Sequence, residues 1–196
     1  MPHVEHGAET PNQQQKQQQI IEAAGELLAS EGLAGCSVRA VADAGPLTKS
    51  AVHYYFRDVQ EIVDRAMGAH LDGLAQTLRE LADAEADPGV RLWRVIDAYL
   101  QTFADKPHAA LLWFEYWIAL SRRDATGPVR EDLNKLRALF GDLLAAADHP
   151  APDAAADTIL SWLLGTVVQQ SIAPEPAQVR RDNLERLLAL TPRPHQ

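Results

Sequence analysis

Ser37–Phe56 reads SVRAVADAGPLTKSAVHYYF, two short pieces on either side of a Gly45-Pro46 break. Ser37 is a good N-cap for the first piece, and Val38, Val41 and Ala42 form its apolar side as far as about Ala44. Thr48 caps the second, which runs to about Tyr55 and turns Leu47, Val52 and Phe56 toward a small core. Isolated helices under about 12–15 residues are marginal in water, so this one needs neighbours to bury its dry side. Two short helices joined by a tight turn, with a longer helix in front, form a helix-turn-helix. In that motif the second helix enters the DNA major groove and its leading residues meet base edges. Thr48, Lys49 and Ser50 hold that end. Lys49 can donate to guanine or to phosphate, and Ser50 to either base type. His53 and Tyr54 fall on the rim, where they reach phosphate oxygens. On the residues alone, a packed aromatic corner of a helical domain is an equal reading.

Outward from this stretch the pattern stays helical. Ile20, Ala24, Leu27 and Leu28 share one face of a first helix over about 12–31, with Glu22, Glu26 and Glu31 off it and Gly32 as its stop. Residues 1–11 read as a loose polar tail. QQQKQQQ (13–19) reads as the solvated start of the helix, or else as an arm touching phosphate through Lys16. Asp58 caps a fourth helix reaching about Ala82, and further helices are expected over about 89–104, 107–121, 128–147, 153–172 and 175–190. The sixth carries LLWFEYWIAL, apolar almost all round, and is expected to be central and buried. No alternating run marks a strand. The expectation is an all-α chain of about nine helices. It divides into a tail (1–11), a three-helix DNA-binding domain (12–60) and a larger helical domain for effector binding and dimerisation (61–196).

The chain has 196 residues, a net charge of −9 and one cysteine, Cys36, so no intramolecular disulfide can form. The start MPHVEHGAET lacks the features of a signal peptide, and no apolar run reaches the length of about 18 residues that a membrane span needs. A cytoplasmic location is expected. The acidic balance speaks against nucleic acid, but binding depends on the local face presented to phosphate. Over 11–60 the basic residues Lys16, Arg39, Lys49 and Arg57 face the acidic Glu22, Glu26, Glu31, Asp43 and Asp58, so the module is near neutral. Arg39 and Lys49 nevertheless begin the two motif helices. Specific binding with few ion pairs, and a shallow salt dependence, is the expectation.

Residues 20–62 resemble the N-terminal DNA-binding domain of the TetR family of bacterial transcriptional regulators, through IIEAA–LLASEGLAG, SVRAVAD, TKSAVHYYF and the capped start at Asp58. The resemblance implies that Ser37 and Arg39 contact phosphate, and that Thr48, Lys49, Ser50 and Ala51 face the groove, Ala51 through its methyl group. His53 stands where the family usually has a phosphate-binding Tyr, which would make that contact pH-sensitive. Tyr54 holds a variable contact position. Two further departures are Pro46 in place of the usual turn Gly, with Gly45 one place early, and Val59 in place of a common Lys. With Val59, a phosphate contact would fall to backbone N–H groups at the helix start.

For the rest of the chain the resemblance is architectural, and it implies ligand binding and dimerisation. Trp93, Phe103, Trp113, Tyr116 and Trp117 are the candidate walls of an effector pocket, though each is also an ordinary core residue by type. Glu115 lies inside the most apolar helix, where a buried carboxylate needs a partner. That partner is Arg94, Arg122 or Arg123, or else a cationic ligand held by aromatic faces. Helices at about 153–172 and 175–190 carry more apolar surface than one neighbour needs and are expected to pair two copies, with Arg180, Arg181, Asp182 and Glu185 on the outer side. No catalytic set, metal set or cofactor is expected. The function expected is a homodimeric repressor that binds a palindromic operator and is released by a small-molecule effector. The alternative is an all-α enzyme or an interaction adaptor keeping an unused helix-turn-helix.

Overall fold

The structure, a computed structural model, describes residues 10–45, 47–105 and 107–189. Among these the chain is all-α, with helices α1 (Pro11–Gly35), α2 (Val38–Ala44), α3 (Lys49–Tyr55), α4 (Val59–Asp83), α5 (Pro88–Asp105), α6 (Pro107–Arg122), α7 (Gly127–Ala146), α8 (Pro152–Ile172) and α9 (Ala177–Ala189). The chain divides into two compact units, 1–70 and 71–196.

In the first unit α1 begins earlier than the polar tract suggests. The Thr10 hydroxyl accepts from the Gln13 N–H at 3.4 Å, and the Gln13 side chain accepts from the Thr10 N–H at 2.8 Å. With Pro11 at the first helical position this is a complete capping box, so residues 10 and 11 belong to the helix and not to a tail. Residues 1–9 lie outside the described residues. Gly32 breaks α1 with φ 71° and ψ −171°, a conformation essentially reserved for glycine. Gly32→Ala is expected to cost about 1–3 kcal/mol, read as a lower denaturation midpoint in urea. Beyond it α2 and α3 pack on α1. Ile20, Ala24, Leu28, Val41, Val52, Phe56 and Ile62 are all buried in this small core. Each such aliphatic or aromatic side chain contributes about 1.5–3 kcal/mol by leaving water. That burial holds two seven-residue helices that could not persist alone.

In the second unit α8 packs against α5, α7 and α9. Ile96, Phe140, Leu144, Ile159, Leu163 and Leu184 are fully enclosed there. Helix α6 corrects an expectation. It buries Tyr116 and Leu120, but Leu111 is 56% exposed and Trp117 and Ile118 are each 45% exposed. Apolar composition made the helix look central, yet among the described residues one side of it stays open. Helix α9 starts at Ala177, two residues later than the pattern suggested, because Pro176 keeps the residue before it out of the helical region.

Candidate nucleic-acid interface and ligand cavity

The two motif helices are capped as their sequences require. Ser37 Oγ accepts from the Ala40 N–H at 3.1 Å, and Thr48 Oγ1 accepts from the Ala51 N–H at 3.3 Å. Each hydroxyl keeps its own proton free to donate to a phosphate oxygen. Helix α3 has one dry side and one wet side: Val52 is 1% exposed and Phe56 2%, against 72% for Tyr54. Thr48, Lys49, Ser50 and His53 are exposed with Tyr54, while Ala51 is half-buried and offers less of its methyl group. The Tyr54 ring meets Tyr55 edge-on at 5.0 Å, which orients its hydroxyl. Lys49 has no carboxylate partner among the described residues. Arg39 lies 3.6 Å from Asp43 across one turn of α2, with both side chains open to water. Such a pair is worth about 0–1 kcal/mol, so the guanidinium can exchange it for a phosphate.

The turn and the start of α4 hold two findings that the sequence did not disclose. Pro46 lies outside the described residues. Gly45 has an extended backbone, φ −105°, so it is not there for a left-handed turn. A Cβ on it would meet the Val41 carbonyl oxygen at 3.2 Å and Ala23 Cβ at 3.5 Å, so glycine lets the end of α2 pass close to α1. At α4 the expected backbone phosphate contact meets a competitor. Asp58 Oδ1 accepts the Glu61 N–H at 2.9 Å, and the Glu61 carboxylate accepts the Arg57 N–H at 3.0 Å. Two carboxylates already serve this helix start, so an incoming phosphate would have to compete with Asp58.

The Glu61 N–H, and then the Arg57 charge, hold the Asp58 carboxyl below the usual Asp range. A lowered folded value stabilises the fold above the unfolded value and is lost as pH falls through the folded one. Wild type is therefore expected to lose stability relative to Asp58→Asn as pH drops below about 4, measured by acid titration of helicity.

In the second unit the six residues proposed for an effector site do not form one group. Phe103, packed on Tyr99 at 5.1 Å, lines a cavity of about 230 Å³ together with Leu100, Ala104, Ala110, Val167, Gln170 and others. Trp93 instead lies under the Arg181 guanidinium, 4.6 Å from ring centroid to Cζ. Tyr116 is core, Trp113 is half-buried and Trp117 is exposed on α6. Glu115 is exposed, so it needs no buried partner. Arg94, one of its suggested partners, pairs with Glu85 at 3.1 Å.

The sequence reading missed Arg180 and Gln170. A second recess of about 140 Å³, lined by Asp97, Leu100, Gln101, Ala104, Gln170, Ala177 and Arg180, shares three wall residues with the first. Arg180 and Arg181, expected on the outer side of α9, are both half-buried. The signal was present in the spacing: Arg180 is one helical step of four before Leu184, which is fully buried. Among the described residues no group of three or more His, Cys, Asp or Glu could hold a metal ion, and no helix is long and apolar enough to cross a membrane.

Residues 20–66 match the family model for bacterial regulatory proteins of the tetR family. The HTH-type transcriptional repressor KstR2 of Mycobacterium tuberculosis is 30% identical over 74 residues, 38% of this chain and 37% of KstR2. The HTH-type transcriptional regulator BetI of Proteus mirabilis is 26% identical over 107 residues, 52% of each chain. The chain thus spans between about a third and about half the length of these curated relatives. A transcriptional regulator from Rhodococcus sp. Rha1 shares the fold, with a TM-score of 0.72 and 20% identity over 89% of this chain and 95% of that one. These matches are regulators and not enzymes. The helix-turn-helix, with its leading tip open to solvent, lies within the segment 20–66 that matches the tetR family model, and the likeness of the rest of the chain to these regulators is one of fold.

Proposed function

We propose that this chain is a homodimeric repressor that binds a palindromic DNA operator in the cytoplasm and is released from it by a small-molecule effector. One observation carries the reading most: Lys49 and its neighbours stand exposed at the start of a helix whose opposite side is sealed in the core. That is the arrangement a groove-reading helix needs. Ser37, Arg39, His53 and Tyr54 are the supporting phosphate contacts, and Thr48, Lys49, Ser50 and Ala51 the groove-facing ones. The DNA-binding domain is residues 12–60 and the sensing and dimerising domain 61–196.

Helices α8 and α9 support the dimer. Val168 is 38% exposed, Ile172 79%, Val179 41% and Leu187 42%, although the interior around them is well packed. A two-fold pairing of these helices would cover that surface and present two recognition helices to two half-sites. The double change Val168→Asp, Ile172→Asp is expected to yield monomers by sedimentation, with loss of operator binding.

An effector can shift the protein off DNA only by its difference in affinity for the bound and free states. The deciding experiment is a gel shift on DNA flanking the protein's own coding region, with and without candidate ligands. A retarded band that a ligand dissolves supports the reading. No retarded band at low salt would reject it, and a band that ligand strengthens would reject release.

A further inference from the structure

Arg180 is an unusual arginine. It is half-buried on α9, and its Nη1 donates to Gln170 Oε1 at 3.3 Å and to the Glu175 carbonyl oxygen. Its Nε is fully buried and meets no acceptor among the described residues. No carboxylate pairs with it among the described residues. The carboxylate nearest in this wall, Asp97, instead accepts from Arg181 Nη2 at 2.9 Å. Buried guanidinium donors are ordinarily satisfied, because an unmet one carries its full desolvation cost.

The location of this donor gives it meaning. Arg180 lines the smaller, more polar recess with Gln170 and Gln101. Leu100, Ala104 and Gln170 also line the neighbouring cavity, whose other walls are mostly apolar. A polar recess therefore adjoins a greasy one, with an arginine at the polar end. With Nη1 committed and Nε shut off from solvent, Nη2 is the donor that remains. Nη2 and the Gln170 amide N–H can each take one oxygen of a carboxylate.

We propose that the effector is an amphipathic monocarboxylate. Its head binds to the Arg180 guanidinium and the Gln170 amide, and its apolar chain lies among Leu100, Phe103, Ala110 and Val167. The charges in the wall favour a single negative charge. Arg181 balances Asp97, leaving one uncompensated cation in the wall, which matches one negative charge and leaves the second charge of a phosphate monoester without a partner. The larger cavity, about 230 Å³, is below the range of about 300–1,000 Å³ common for drug-sized ligands, which selects a short chain. The assignment rests on the reading of the chain as a ligand-responsive regulator.

The test is calorimetric titration of the full-length protein, without DNA, with octanoate, octanol, octylamine and octyl phosphate. Octanoate should bind at least about tenfold more tightly than each of the others, as a charge-assisted pair predicts. Arg180→Gln should abolish that preference, and Arg180→Lys should keep part of it. Both must melt as cooperatively as wild type, because the arginine also ties the turn before α9. Ala104→Phe, at an exposed position on the rim of both recesses, should weaken octanoate and octanol together. Equal binding of octanoate and octanol would overturn the proposal. So would no octanoate binding, an unchanged preference in a folded Arg180→Gln, or unchanged affinity in Ala104→Phe. Failure of the regulator reading would show separately, as no DNA shift by the unliganded protein. Octanoate binding without any effect on an established DNA shift would remove the effector assignment.

Discussion

Lys49→Ala lowers affinity for the operator by about 5- to 150-fold, the range of about 1–3 kcal/mol for one good base contact. Its place at the first position of α3 sets the size of this effect. The helix cannot retreat from the groove, because Val52 and Phe56 pin its other side in the core. On the proposed function the lysine would therefore meet DNA in a fixed register. Truncation removes its ammonium without breaking an ion pair, since no carboxylate among the described residues holds it. Helicity and melting temperature should stay at wild-type values. Salt dependence then distinguishes its partner. Binding measured by fluorescence anisotropy across a salt series loses about one unit of slope if Lys49 neutralises a phosphate, equally on all sequences. If it reads guanine, the loss is confined to sequences that keep that base. Because the module carries few cations, one lysine is a large share of its total. Wild-type affinity in the variant would show that another element enters the groove.

The DNA-binding half was legible because each of its signals is local. Ser37, Thr48 and Asp58 cap helices three residues from the N–H groups they accept, and the spacing of four between Ile20, Ala24 and Leu28 shows directly which side is dry. The same logic could have found Thr10 and Gln13, which the surrounding glutamines disguised as a tract. What failed was inference from composition. Helix α6 is among the most apolar segments, and that was read as burial. Burial is set by how many neighbours a helix has, and the exposed Leu111, Trp117 and Ile118 show too few within the chain to surround it. The ligand candidates failed for the same reason. Aromatic residues were gathered by type, whereas the cavity is bounded by whatever α5, α6, α8 and the turn before α9 leave unfilled, and that is mostly Leu, Ala, Val and Gln. Arg180 was assigned to the surface because it is charged. Its position four residues before Leu184 carried the better information.

Phe140→Ala is expected to remove about 3–5 kcal/mol of stability. The ring, on α7, is 0% exposed and lies in the cluster where α5, α7 and α8 meet, beside Ile96, Leu144, Ile159 and Leu163. Its removal forfeits the transfer energy of the ring and leaves a hole. Helices packed on three sides cannot close that hole without breaking other contacts. Against a usual total of about 5–15 kcal/mol, this loss takes the second unit near or past its limit. The urea midpoint should fall steeply with little change in slope, and Phe140→Leu should lose less because it leaves a smaller void. Trp117→Ala is the informative contrast. Trp117 is nominally the larger residue, but it sits 45% exposed on α6, so its truncation should cost far less than that of Phe140. If the two variants proved equally destabilising in the monomer, the outer face of α6 would have to be covered in solution. Residue type, and not the neighbours around it within one chain, would then be the better guide to that helix.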